Sequence, residues 1–181
     1  MNTNTMNIQL KKVHINRRFS RESIQFTADL YINGILVGIA ENDGNGGCTY
    51  YGCLYEASTI QRQLLKDAIE YCKNLPKKVT EYGEIDMSLD YLIDEIISDI
   101  WNKKDAEAFE KKKLKDMSKG LLISKTNDGN SYQLYVWKGF TIDKLLSHPK
   151  GQDAISKSIS KLKTEGYHIL NTNIPNLSTQ N

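Results

Sequence analysis

The chain has few of the residues that staple, break or anchor a polypeptide. Of 181 residues, three are proline and three are cysteine (Cys48, Cys53 and Cys72). An odd cysteine count beside a sizeable apolar fraction excludes a disulfide scaffold and points to a reducing, cytoplasmic setting. No apolar run approaches the roughly 18 residues that suggest a membrane span. Residues 1–12 hold no apolar signal segment, so no export and no membrane contact is expected. Charge of one sign is also missing, since 24 basic and 22 acidic side chains leave a net +2. Proteins that hold nucleic acid through their overall field are strongly basic. Direct nucleic-acid binding is therefore not expected, unless through a local basic patch.

What is present is an apolar fraction of 39%, enough for a core. Residues 24–32 alternate strictly, with Ile24, Phe26, Ala28, Leu30 and Ile32 on one face. Period two over such a length is a half-buried strand. Asn33-Gly34 follows, and it suits the type I′ hairpin turn, which needs positive φ at both central residues. A two-residue loop would pair Ile32 with Ile35, Leu30 with Val37 and Ala28 with Ile39, all facing the core, and would set Asp29 opposite Gly38. Residues 7–18 read as a third, edge strand, with a bulge where the alternation breaks at Lys11-Lys12.

Residues 57–75 read as a helix with an inward stripe of Ile60, Leu64, Ala68, Cys72 and Leu75, ended by Pro76. A longer helix is expected over 86–118, inward through Leu89, Ile93, Ile96, Ile97 and Ile100. Its apolar positions thin beyond Trp101, which suggests projection or a break near Asn102, and Lys119-Gly120 has the form of a C-terminal cap. A second hairpin, with Asp128-Gly129 as another type I′ candidate, precedes a short helix at 142–147. A break at 149–151, a helix at 152–164 and a last strand at 167–170 complete the order. The fold class is α+β: an antiparallel sheet from an N-terminal three-stranded meander and a second hairpin, with helices on one face. One domain is expected over 1–171, followed by a flexible polar tail at 172–181. The segments GILVGIAENDGNG and GLLISKTNDGNSY form a faint internal echo.

The chief candidate site is the glycine-rich loop Asn42, Asp43, Gly44, Asn45, Gly46, Gly47 with Thr49, Tyr50 and Tyr51 beyond it. Glycines let successive N–H groups converge on an anion, while the hydroxyls and rings add donors and stacking faces. No lysine or helix follows directly, so it is no P-loop. The competing reading is a loop that needs positive φ. Asp29, on the polar face of the first hairpin, could line a pocket beside a glycine gap. Asp86, Asp90 and Asp94 are spaced to share a helix face and could hold a divalent cation. However, an acidic start and a basic end (Lys111, Lys112, Lys113, Lys115) are what the helix macrodipole favours. That lysine run lacks the interleaved aromatics of a stacking platform. Cys48 and Cys53 with His14, His148 or His168 offer only permissive zinc spacing, and Cys48 would need His14 as a base to act as a nucleophile. No metal, cofactor or catalytic set is expected.

The run Ala28-Asp29-Leu30-Tyr31-Ile32-Asn33-Gly34, then Val37-Gly38, Asn42-Asp43-Gly44, Gly46-Gly47-Cys48-Thr49 and Tyr51, resembles a group of small uncharacterised proteins of phages and mobile elements. The resemblance covers under a fifth of the chain and gives no residue a role. It implies an accessory protein that works by binding.

Three functions compete. The first is a non-enzymatic inhibitor, anti-CRISPR-type or similar, that contacts a protein or complex of host defence in the cytosol. The second is a small-ligand binder or nucleotide sponge, with phosphate on the glycine-rich loop and Tyr50, Tyr51 or Trp137 stacking on a base. The third is a hydrolase or transferase built on carboxylates such as Asp29 and Asp43. The long helix is compatible with a homodimer.

Overall fold

The computed structural model describes residues 5–81 and 83–175. It has the α+β architecture expected, with antiparallel sheets and helices. The chain divides into two compact units, Met1–Lys104 and Asp105–Asn181.

The first unit is built on a four-stranded antiparallel sheet of β1 (Ile8–Ile15), β2 (Phe26–Ile32), β3 (Ile35–Asn42) and β4 (Tyr50–Cys53), in that spatial order. The expected meander thus gains a fourth strand. Asn33 and Gly34 both have positive φ, 50° and 82°, as the type I′ turn requires. The Asn33 side chain accepts from the Asn7 amide at 2.9 Å and ties the turn to the chain before β1.

The register departs from expectation after two rungs. Ile32 faces Ile35 and Tyr31 faces Leu36, but Leu30 then faces Gly38, Asp29 faces Ile39 and Ala28 faces Ala40. Val37 is the extra residue of a β-bulge, so Ile35 and Ile39 are exposed while Val37 and Ala40 are buried. Gly38, the residue after the bulge, is a point of close approach to the next strand. A Cβ on it would lie 1.7 Å from the Gly52 carbonyl oxygen of β4, so only glycine lets the two strands close. The bulge expected in β1 is present, between Lys11 and His14, with Lys12 at φ 49°.

One face of this sheet is covered by α1 (Thr59–Lys73) and the start of α2 (Leu89–Met117). Ser58 opens α1 through a capping box with Gln61. Ala68 and Cys72 are fully buried against Phe26, Leu30 and Val37, whereas Ile60, in the first turn, is 67% exposed and leaves the expected stripe. Between the helices lies a small hairpin absent from the sequence reading, β5 (Lys78–Thr80) with β6 (Gly83–Ile85). It is too short to show periodicity.

α2 starts three residues later than expected, where the Ser88 hydroxyl accepts from the Tyr91 amide. It runs unbroken through Asn102, so the expected break is absent. Its last residues do not project either, since Met117 is buried and Phe109 packs on Tyr132 at 5.6 Å between ring centroids.

The second unit has a three-stranded sheet, β8 (Gln133–Tyr135), β7 (Leu121–Ser124) and β9 (His168–Ile169), with α3 (Ile142–Leu146) and α4 (Pro149–Thr164). Leu121, Ile123, Ile142, Ile155 and Leu162 form its core. Three local expectations are corrected. Only Gly129 of the Asp128-Gly129 pair has positive φ, so that turn is not type I′. Gly120 is no left-handed cap; a Cβ there would lie 2.1 Å from the Tyr135 carbonyl oxygen. Pro149 does not break the chain but occupies the first turn of α4, where its missing N–H is harmless. Gly151 then lets α4 pass the carbonyl of Leu145.

The segment after β9 is packed. Asn171 accepts from the Leu122 amide at 2.7 Å and donates to the Gly120 carbonyl at 3.1 Å, and Ile174 is buried. Residues 172–174 therefore belong to the second unit rather than to a flexible tail. The rest of the expected tail, 176–181, lies outside the described residues.

Candidate functional site

The glycine-rich loop between β3 and β4 is organised by one buried amide. The inward alternation of β3, restored after the bulge, turns Asn42 toward the interior. Its Oδ1 accepts from Ser23 Oγ at 2.7 Å and from the Gly44 amide at 2.9 Å. Its Nδ2 donates to the Gly47 carbonyl at 2.9 Å and to Thr49 Oγ1 at 3.1 Å. Both donors and both acceptor positions of the amide are thereby used. Buried Thr49 passes the chain on, donating to the Asp94 carboxylate of α2. Burial pushes the Asp94 carboxyl above its ordinary value, the Thr49 hydrogen bond opposes this, and Asp90 nearby adds to it.

An anion nest would need the loop's amides, and these are largely engaged. The Gly44 amide is held by Asn42, that of Asn45 by Asp43 Oδ1 at 3.0 Å and that of Gly46 by Ser23 Oγ at 3.1 Å. The Asn45 contact also holds the Asp43 carboxyl below its ordinary value. The second Asn-Asp-Gly-Asn segment repeats this turn. Asp128 Oδ1 accepts from the Asn130 amide at 3.0 Å, and Gly44 and Gly129 both have positive φ.

What the glycines do accept is the neighbouring loop, residues 16–25, between β1 and β2. The amides of Arg21, Glu22 and Ser23 all point at the Gly44 carbonyl, at 3.0, 3.1 and 3.4 Å. A Cβ on Gly44 would sit 2.4 Å from the Phe19 carbonyl oxygen, and one on Gly46 would meet the Glu22 side chain at 2.6 Å. Gly47 has open space around it. The glycine-rich loop is thus a cradle for the 16–25 loop.

That supported loop is where basic side chains collect. Arg17, Arg18 and Arg21 are exposed, and Phe19 between them is 52% exposed. Arg17 stacks on Trp101 of α2 at 4.7 Å. Open grooves of about 500 and 470 Å³ flank the loop, and Arg17 lines both. This cluster is distinct from the lysine run of α2 and was not among the candidates that motif and spacing picked out. Its signal was compositional, since three of the four arginines fall within residues 17–21.

The outer face of the sheet holds the other candidates. Asp29 lies opposite Ile39, not Gly38, and forms an ion pair with Lys12 at 2.9 Å. Asp43 lies in the loop beyond the Asn42–Phe26 rung, so register keeps the two carboxylates apart. Tyr50 is exposed beside Glu41, whereas Tyr51 turns inward and burial raises its phenol pKa. Other exposed large apolar residues are Ile39 on β3, Leu54 and Tyr55 (97% exposed) in the connector after β4, and Ile60 at the start of α1.

The remaining candidates do not assemble. Asp86 precedes α2 and pairs with Lys77, so it does not share a helix face with Asp90 and Asp94. Among the described residues no three His, Cys, Asp or Glu side chains converge on one point. Cys48 is exposed, Cys53 half-buried and Cys72 buried, with its thiol pushed up to about 11 by burial. Lys113 is mostly covered and pairs with Glu110 at 3.6 Å, while Lys111, Lys112 and Lys115 are exposed. Trp137 packs into the core of the second unit. Among the described residues no helix is long and apolar enough to cross a membrane.

Fold and site define an α+β protein with a buttressed loop pair at one end of its first sheet. Searches of family models, curated proteins and solved structures find no match to the chain.

Proposed function

We propose that the protein acts by binding rather than by catalysis. Its partner is a host protein or protein complex, in the manner of a phage or mobile-element inhibitor of host defence. The observation that carries this reading is the exposure of the large apolar residues Ile39, Tyr50, Leu54, Tyr55 and Ile60. Large exposed side chains on β3, β4, the connector after it and the first turn of α1 are what a protein interface presents. β4 adds an open sheet edge. The opposite edge, β1, is bulged and carries Lys11 and Lys12, both devices that discourage pairing. β4, Tyr-Tyr-Gly-Cys, has no charge, no proline and no bulge, so it stays available to a partner strand.

The test is affinity capture from cells that carry defence systems, using tagged wild-type protein and a Tyr55→Ser/Ile60→Ser variant. Both side chains lie outside the core, so the variant should fold. The expected result is one dominant host protein, retained by the wild type and lost by the variant. Capture of no protein, or equal capture by both, would overturn the reading.

A further inference from the structure

We infer that the open edge of β4 is a site for strand addition, whose occupant is an extended basic segment of the partner protein. The segment pairs with the backbone of Tyr51 and Cys53, and one of its lysine or arginine side chains crosses Tyr50 to Glu41 and Asp43. This rests on the proposed protein contact and names its mode and the chemistry of the partner.

Three observations combine. The first is which backbone groups are free. The Leu54 amide donates to the Val37 carbonyl at 3.3 Å, and Gly38 faces Cys53. In an antiparallel ladder this marks Gly38–Cys53 as a pair without hydrogen bonds, and alternation makes Ile39–Gly52 and Glu41–Tyr50 the hydrogen-bonded pairs. Tyr50 and Gly52 thus turn their N–H and C=O groups to β3, while Tyr51 and Cys53 turn theirs to the open edge. Among the described residues no backbone hydrogen bond from outside the sheet reaches those groups. Donors and acceptors repeated two residues apart are what an added strand takes up.

The second observation is that the groove beside the edge carries charge of one sign. Thr27, Glu41 and Tyr50 stand side by side on one rung of the outer face. With Asp43 they line a groove of about 430 Å³ that no lysine or arginine lines. None of the ion pairs of the described residues involves Glu41 or Asp43, and Lys12 of β1 is taken by Asp29 at 2.9 Å. Unpaired carboxylates select a cationic side chain and repel an acidic one. Gln25, Phe26 and Thr27 also line the groove of His14, Arg17 and Arg18, so an added cation is favoured at the β3–β4 end, away from those side chains. The third is that Tyr50 joins edge and groove. A Cβ on Gly52 would lie 2.7 Å from the Tyr50 hydroxyl, so the Tyr50 side chain lies along β4 over Gly52, and it is 58% exposed. An added residue opposite Tyr50 points its side chain to the same face. A lysine or arginine there reaches the carboxylates across a ring that itself attracts cations.

The experiment is fluorescence anisotropy of a labelled peptide of about eight residues, alternating lysine and valine, titrated with the full chain. A glutamate–valine peptide tests charge, and a lysine–proline peptide, which lacks every second N–H, tests strand addition. The lysine–valine peptide should bind with a Kd below about 1 mM, and at least about fivefold more tightly than either comparison peptide. Cys53→Pro removes an outward N–H and no hydrogen bond to β3. It should weaken binding about tenfold while thermal melts show a folded protein. Glu41→Gln/Asp43→Asn should weaken binding about fivefold, and Asp67→Asn/Glu70→Gln on α1, an equal loss of charge, should leave it unchanged. The inference is overturned by absent binding at about 1 mM protein, by equal binding of the lysine–proline peptide, or by equal losses in the two charge variants. A free wild-type protein that sediments as a dimer, with the dimer lost in Cys53→Pro, would also overturn it and would make a second copy the occupant of β4. A host protein captured equally by wild type and Cys53→Pro would remove strand addition and leave the protein contact standing.

Discussion

Asn42 shows how one side chain can fix the form of a loop. Asn42→Ala removes four hydrogen bonds at once and leaves Thr49 Oγ1 and Ser23 Oγ short of a partner. Such a change should lower stability by about 2–4 kcal/mol, read from urea denaturation. The glycines beside it should not behave alike. Gly44→Ala meets both the Phe19 carbonyl and a φ of 84°, so it should destabilise by more than about 1 kcal/mol, whereas Gly47→Ala, with open space around it, should change stability little. Titration separates the carboxylates in the same way. Asp94 is raised chiefly by burial, so the stability it contributes is present below the ordinary carboxylate value and lost as pH rises through its folded value. Asp94→Asn, which can still accept from Thr49, should therefore raise the melting temperature at pH 7. Asp116 is lowered, first by its contact with Lys119 and then by Tyr132, so its contribution is present above about pH 4 and lost as pH falls. Asp116→Asn should flatten the acid limb of the stability profile.

The elements owe their form partly to local signals and partly to close approach. The first hairpin is local, because Asn33-Gly34 and strict alternation specify both turn and facing. The start of α1 is local as well, and Ser58→Ala should lower stability by about 1 kcal/mol through loss of the capping box. The β3–β4 pairing is not local. It requires that nothing occupy the Cβ position of Gly38, and Gly38→Ala should detach β4, which amide hydrogen exchange across residues 50–53 would report. The same logic accounts for Gly120 and Gly151, which the sequence presents as a cap and a break. In the structure they are places where a strand and a helix pass a carbonyl.

For the whole molecule, the buried apolar residues gather in two cores. One gathers Phe26, Leu30, Val37, Cys72 and Ile93, and the other Leu121, Ile142, Ile155 and Leu162. Each should open as its own cooperative unit. Leu121→Ala should speed amide exchange in β7, β8 and α4 while leaving β2 and β3 protected. Cysteine chemistry should follow the same layout. Exposed Cys48 should react with a thiol reagent in the native protein, and Cys72, buried with a pKa of about 11, only after the first unit unfolds.

The sequence by itself determined the strands of the first hairpin, the bulged edge, both long helices and the α+β class. Each of these rests on periodicity, turn chemistry or capping within a few residues. It also directed attention to residues 42–51, where glycines cluster. Only the tertiary structure decided what those glycines are for. Their backbone approaches residues 16–25, a contact between segments more than 20 residues apart that no local pattern encodes. The register of β3 likewise shows only in the structure, where Val37 is the extra residue against β2. The arginine loop gained its position from that packing, not from its own sequence.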